Sequence, residues 1–186
     1  MNTNLEIEYK TMLTPDQFKR LSLDYDDVPN IKQVNYYYQY ADLTKPIAAR
    51  IRQIDQHFEL TFKIKQAKGM LEVNFEVNEN DSNMFKREDV QSFLIKNDYT
   101  LDFSYLGELT SYRRLIKETN GDLCIDENHY LGVVDYELEY EVTQDEALAY
   151  ARYRELVEKY QLSNVKAKTK YHRFLLCLNP HDVGEK

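Results

Sequence analysis

Charged side chains recur at every second position in several short runs of this chain, and each run leans toward one sign. Glu6, Glu8 and Lys10 alternate with Leu5, Ile7 and Tyr9. Arg50 and Arg52 flank Ile51, and Thr61, Lys63 and Lys65 alternate with Leu60, Phe62 and Ile64. Glu72, Asn74 and Glu76 alternate with Leu71, Val73, Phe75 and Val77; Asp135, Glu137, Glu139 and Glu141 alternate with Tyr136, Leu138 and Tyr140. In a strand this period places the two sets on opposite faces. Arg and Lys are the natural donors to phosphate oxygens, Arg in bidentate fashion. Clustered carboxylates suit hard cations such as Mg2+. Such faces together could hold a polyanion with its cations. Unlike charges about 4 Å apart gain roughly 1 kcal/mol in water but about 4 at an effective dielectric of 20, so an enclosed site makes these contacts worth assembling.

The elements that would position these groups are mostly strands. Alternation predicts eight, at about 5–10, 33–39, 47–54, 58–65, 70–77, 108–116, 121–126 and 134–142. Short turns between them predict an antiparallel sheet, and eight strands are enough to close a barrel. Helices interrupt this pattern. Thr14-Pro15-Asp16-Gln17 reads as a capping box with proline at the first helical position, followed by Phe18, Leu21 and Tyr25 on one stripe. A second helix is expected from Asp81 or Ser82 through Phe85, Val90, Phe93 and Leu94. Thr143-Gln144-Asp145-Glu146 reads as another capping box, opening a helix with Ala147, Ala151, Leu156, Val157 and Tyr160. The stretch from Lys168 to Leu178 is expected to be helical, with Phe174 and Leu178 inward. Two geometries fit. Either the apolar faces line the barrel and the charges are wetted, or the barrel is inverted, with helices outside and charges lining a tunnel. Alternation alone favours the first; segregation of sign by strand counts against it, because a solvated face has no reason for it.

Composition bounds the rest. With 186 residues and 42% apolar content the chain can bury one real core, so 1–186 is expected to be a single domain. Its 32 acidic against 24 basic residues, a net charge of −8, argue against general nucleic-acid binding. No apolar run approaches the roughly 18 residues of a membrane span, and Met1–Lys10 lacks the layout of a signal peptide. The expectation is a cytoplasmic protein without a membrane partner. Cys124 and Cys177 cannot make a disulfide framework, and the four histidines lack zinc spacing. The usual glycine-rich phosphate cradles are missing. Sixteen tyrosines beside five glycines suit pleated sheet. Tyr36, Tyr37 and Tyr38 read as packing residues, with Tyr37 and Asn35 sharing one face. Cys124 shares parity with Asp122 and Asp126 and reads as a semi-buried thiol.

The order of these segments resembles the CYTH superfamily, the triphosphate tunnel metalloenzymes, and most of all its short stand-alone bacterial members of the YjbK type. Glu6-Ile7-Glu8-Tyr9-Lys10 looks like the ExExK motif. The aromatic strand Asn35-Tyr36-Tyr37-Tyr38, the pair Arg50 and Arg52, and the lysine strand with Lys63 and Lys65 follow in order. Then come Glu72 and Glu76, Arg113, Asp126, the run Glu137 to Glu141, and Lys170-Tyr171-His172-Arg173. The set covers nearly the whole chain. Two segments depart from the family pattern: Tyr38-Gln39-Tyr40-Ala41-Asp42 displaces the usual aspartate, and Thr169 stands where serine is commoner before Lys170.

The resemblance implies an α+β, mainly β fold: an eight-stranded antiparallel closed barrel with charged interior and helices outside. It also implies a triphosphate-containing small molecule as partner, with Mg2+ or Mn2+ as cofactor. By this correspondence Glu6, Glu8, Glu137 and Glu139 would hold the metal. Lys10, Arg50, Arg52, Lys63, Lys65, Arg113 and Lys170 would grip phosphate oxygens. Glu6, Glu8, Lys10, Glu76 and Asp126 would serve the chemistry, Glu76 or Asp126 by orienting water. The expected activity is metal-dependent hydrolysis of tripolyphosphate, or of a nucleoside or thiamine triphosphate. The alternatives are an adenylyl cyclase forming cyclic AMP from ATP and a non-catalytic polyphosphate or nucleotide carrier. Oligomeric state is left open, with a homodimer one option.

Overall fold

A computed structural model describes residues 1–45, 47–163, 165 and 167–179. Among them are nine strands and four α-helices, and the chain divides into two compact units: Met1–Glu6 with Gln33–Leu109, and Ile7–Lys32 with Thr110–Lys186.

The first unit is built on β1 (Asn2–Glu6), β3 (Ile31–Tyr40), β4 (Ile47–Ile54), β5 (His57–Lys65), β6 (Met70–Val77) and the first part of β7 (Phe103–Lys117). Its ladder order is β1-β6-β5-β4-β3-β7, with antiparallel pairing from β1 to β3. Ile51, Leu60, Phe62, Val73 and Phe75 are buried on one face, under Phe85, Val90 and Leu94. Those cover residues come from a short 3-10 helix, Ser82–Lys86, and from α2 (Glu88–Lys96). The single helix expected here is therefore two. Asp81 caps the first piece, but Arg87 adopts an extended conformation (φ −63°, ψ 141°) and restarts the helix.

The second unit carries β2 (Glu8–Leu13), the rest of β7, β8 (Gly121–Tyr130) and β9 (Val133–Val142), in the antiparallel order β7-β8-β9-β2. The β8–β9 turn is Leu131-Gly132, both with positive φ, as a two-residue type I′ hairpin requires. Helices α1 (Pro15–Asp24) and α3 (Glu146–Tyr160) cover the apolar face: Leu21, Tyr153, Leu156 and Val157 pack on Leu123, Ile125, Leu138 and Tyr140. The capping box at Thr14 and Gln17 forms in full. At α3 the cap is Asp145, two residues later than expected, accepting from the Leu148 amide. The fourth helix, α4 (Lys170–Leu178), is capped by Thr169; Phe174 is buried and Leu178 half-buried.

Two expectations are corrected. The first strand is two, β1 and β2, separated by Ile7 and paired to β6 and β9 respectively, so the count is nine rather than eight. The ladder has β1 and β2 as ends instead of closing as a ring. Alternation runs unbroken through Ile7, so the sequence carries no sign of the break. Among the described residues no helix is long and apolar enough to cross a membrane.

Candidate functional site

In both units the helices cover the apolar faces, and the charged faces are nonetheless largely withdrawn from water. In the first unit the strand registers build cross-strand rungs. Tyr37, Arg50, Thr61 and Asn74 form one, Asn35, Arg52, Glu59 and Glu76 another, and Lys63 with Glu72 a third. Lys63 Nζ lies 2.6 Å from both Glu6 Oε2 and Glu72 Oε1, and Arg50 is 3.8 Å from Glu72. Arg52 Nε donates to Asn35 Oδ1 at 3.0 Å. Burial works against the Glu72 anion, but Lys63 and Arg50 outweigh it and hold the carboxyl below its ordinary value. Arg50 Nε, Thr61 Oγ1 and Asn74 Oδ1, neighbours on one rung, are buried without a hydrogen-bond partner among the described residues. Left so, each would cost about 1–3 kcal/mol in desolvation, which makes this rung receptive to a polar ligand.

The second unit holds a denser network. Arg113 makes a bidentate pair with Asp126 (2.8 and 2.6 Å) and reaches Glu139 Oε2 at 2.5 Å. Lys10 Nζ meets Glu139 Oε1 at 2.9 Å and Glu8 Oε1 at 2.5 Å. Lys170, the first residue of α4, places Nζ 2.8 Å from Asp126 Oδ2, 3.1 Å from Glu139 Oε1 and in contact with Glu137 Oε1. Arg173, one turn along, donates to Glu137 Oε2 at 3.0 Å and to Asp135 at 2.8 and 3.2 Å. Asn128 donates to Glu137 Oε1 (3.2 Å) and Asp135 Oδ1 (3.0 Å), and its own carbonyl accepts from Ser111 (2.6 Å).

Burial penalises the charged forms of Lys10, Arg113, Asp126, Glu139 and Lys170, yet their partners decide the outcome. Lys10, Lys170 and Arg113 drive Glu139 well below the usual carboxylate range. Arg113 and Lys170 likewise lower Asp126. Asp126, Glu137 and Glu139 in turn raise Lys170, and Glu139 with Glu8 raises Lys10. Cys124 stands opposite Glu139 in register; burial pushes its thiol up to about 12, so it is an inert packing group at neutral pH.

One carboxylate oxygen each from Asp126, Glu137 and Glu139 lies within 4.8 Å of the others, and all three residues are buried. Three oxygen donors without sulfur or imidazole suit a hard divalent cation. This grouping joins Asp126, expected as a catalytic group, with the expected ligands Glu137 and Glu139. Glu6 instead pairs with Lys63, and Glu8 with Lys10. Lys65 and Glu76 are solvent-exposed at their rungs. Asn128, Ser111 and the role of Arg173 were not anticipated. The alternation of Asp122, Cys124 and Asp126 extends to Asn128 once β8 is allowed to run to Tyr130, and Arg173 follows Lys170 at a helical i, i+3 spacing.

A model of the CYTH domain matches residues 4–175. The chain belongs to the CYTH family. The Bacillus subtilis (strain 168) protein called "Putative triphosphatase YjbK" is 28% identical over 183 residues, 94% of this chain and 96% of that one. The crystal structure of a "putative adenylate cyclase" from Bacillus halodurans is also 28% identical, with a TM-score of 0.81 over 94% of this chain and 99% of that one. HpAC1 from Hippeastrum, a "putative adenylyl cyclase" with a dominant triphosphatase activity, superposes at a TM-score of 0.74. At 20% identity over 92% of this chain and 95% of that one, it bears on the fold alone. The fold is thus the CYTH triphosphate-tunnel fold, α+β and mainly antiparallel β.

Proposed function

We propose that this CYTH protein is a divalent-metal-dependent triphosphatase, acting on inorganic tripolyphosphate or on a nucleoside or thiamine triphosphate. The observation that carries this reading is the buried convergence of Asp126, Glu137 and Glu139 with Lys10, Lys170 and Arg113. A ligand that brings both negative oxygens and cations would engage both sets. The name of the YjbK relative points the same way.

Asp126, Glu137 and Glu139 are the residues that would hold Mg2+ or Mn2+, which supplies Lewis-acid polarisation of phosphate oxygens when bound. Lys10, Arg113 and Lys170, beside these carboxylates in the second unit, would donate to phosphate oxygens; within the first unit Arg50, Arg52 and Lys63 offer donors of the same kind. As the water oxygen bonds to a terminal phosphorus, the bridging P–O bond breaks, negative charge builds on the departing diphosphate, and the water gives up a proton to solvent or to the departing oxygen. Arg and Lys donors, once on the phosphate oxygens, meet that charge. Asp126 is held ionised by Arg113 and Lys170, which suits holding a cation and orienting water better than taking a proton. Glu6 and Glu8 orient Lys63 and Lys10.

The deciding assay offers tripolyphosphate, ATP, thiamine triphosphate and pyrophosphate with Mg2+ and Mn2+, following phosphate, pyrophosphate and cyclic AMP. Metal-dependent phosphate release from a triphosphate supports the hydrolase. Cyclic AMP with pyrophosphate from ATP would make it a cyclase, and tight binding without product a carrier.

A further inference from the structure

The three carboxylates that converge in the second unit already surround a cation, and it belongs to the chain. Lys170 Nζ contacts one oxygen from each of Asp126, Glu137 and Glu139. These are the same residues whose ligand atoms lie within 4.8 Å of one another. Mg2+ binds carboxylate oxygens at about 2.0–2.1 Å and an ammonium donates to them at about 2.7–2.9 Å, so both draw on the same lone pairs. They cannot share the centre at low cost. A divalent and a monovalent cation about 4 Å apart would repel by several kcal/mol at an effective dielectric of 20. Nor can Lys170 simply leave, because a buried ammonium without a partner is strongly destabilising.

We infer that Lys170 is a tethered competitor of the divalent cation, holding the three-carboxylate centre until a triphosphate offers its ammonium another set of oxygens. Cation and triphosphate then bind with positive coupling, and by linkage each raises the affinity for the other by the same factor. The regulation rests on the triphosphate reading proposed above, but the competition at its root is a property of the protein alone. Lys170 sits where a change of place is easiest to transmit. It is the first residue of α4, whose next turn carries Arg173, paired to Glu137 and Asp135. When Lys170 gives way, Arg173 and Asn128 remain on Glu137, so the ligand keeps its orientation.

The test is Mn2+ binding to the full chain with no anion present, read as loss of the free-Mn2+ electron paramagnetic resonance signal. Lys170→Met, which keeps the stem and removes the charge, is expected to bind Mn2+ more tightly than the parent, within the roughly 5–150-fold range of typical couplings. Lys170→Arg should stay close to the parent. Adding Glu137→Gln to Lys170→Met should remove most of the gain. Equal or weaker Mn2+ binding by Lys170→Met overturns the inference, as does a gain that ignores Glu137. If Lys170→Met is too unstable to titrate, its melting temperature is read with and without Mn2+. A larger Mn2+-induced rise than in the parent supports the competition, and an equal or smaller rise refutes it. Failure of the parent to hydrolyse any triphosphate would sink the proposed function while leaving this comparison intact, so the two failures are distinguishable.

Discussion

In the first unit, Arg50, Arg52 and Lys63 stand with Glu6 and Glu72, and the Arg50 Nε and Thr61 Oγ1 atoms lack a partner among the described residues. In the second, Lys10, Lys170, Arg113 and Arg173 stand with Glu8, Asp126, Asp135, Glu137 and Glu139, and every one of those carboxylates is in an ion pair. The first keeps donors to spare and is ready for an anion as it stands. The second is internally compensated, so any ligand it takes must displace an existing pair. Similar residue types thus give a receptive surface in one place and a guarded one in the other.

The sharpest way to break this contrast is to remove a guarded carboxylate. Glu137→Gln is expected to lower metal-dependent phosphate release from tripolyphosphate by about 100-fold or more, on the scale of a lost transition-state contact. A variant within threefold of the parent would take Glu137 out of the site. Next, Arg50→Met removes a receptive donor. Loss of a charged hydrogen bond worth about 1.5–3 kcal/mol should lower kcat/KM by roughly 10–100-fold while leaving Mn2+ affinity unchanged. If Mn2+ binding falls with it, the division of labour between the clusters is wrong. Arg173→Met, which frees one oxygen of Glu137, should weaken Mn2+ binding by about tenfold, as for groups that orient a metal ligand. The same substitution should leave the urea unfolding slope unchanged.

Acid exposes the guarded cluster too. Glu139 and Asp126 have depressed values in the folded chain, so their ion pairs add stability that is present above the ordinary carboxylate range. That stability is lost as pH falls through the lowered folded values. Urea midpoints followed from about pH 6 downward should fall less steeply in Glu139→Gln than in the parent, since that variant has one fewer such proton to take up. A parallel fall in both would mean that Glu139 does not carry the linkage. The smallest effects belong at the exposed ends of the first cluster. Lys65→Ala and Glu76→Gln should each change stability by no more than about 0.5 kcal/mol. Activity within twofold of the parent would separate these positions from Arg50, and a tenfold loss would return them to the site.

Much of this was legible beforehand because period-two alternation fixes which residues share a face, and helices with recognisable caps show which face is covered. Arg50 with Arg52, Lys63 with Thr61, Glu72 with Asn74, and Glu137 with Glu139 share faces by parity alone. What parity cannot give is partner choice across strands. Glu6 and Glu8 share a face in one alternating run, yet the break at Ile7 sends Glu6 to Lys63 and Glu8 to Lys10. Nor does it say where a strand stops, which hid Asn128. Lys170 was expected to meet phosphate; that it meets three carboxylates instead depends on where α4 docks, and no local pattern encodes that.

The most direct measurement is phosphate release from tripolyphosphate as Mn2+ is titrated, comparing the parent with Glu137→Gln in the same preparation. The expected result is turnover that requires Mn2+ in the parent and is reduced about 100-fold or more in the variant at saturating metal. Turnover by the parent without a divalent cation, or equal turnover by both proteins, would contradict a carboxylate-held metal centre.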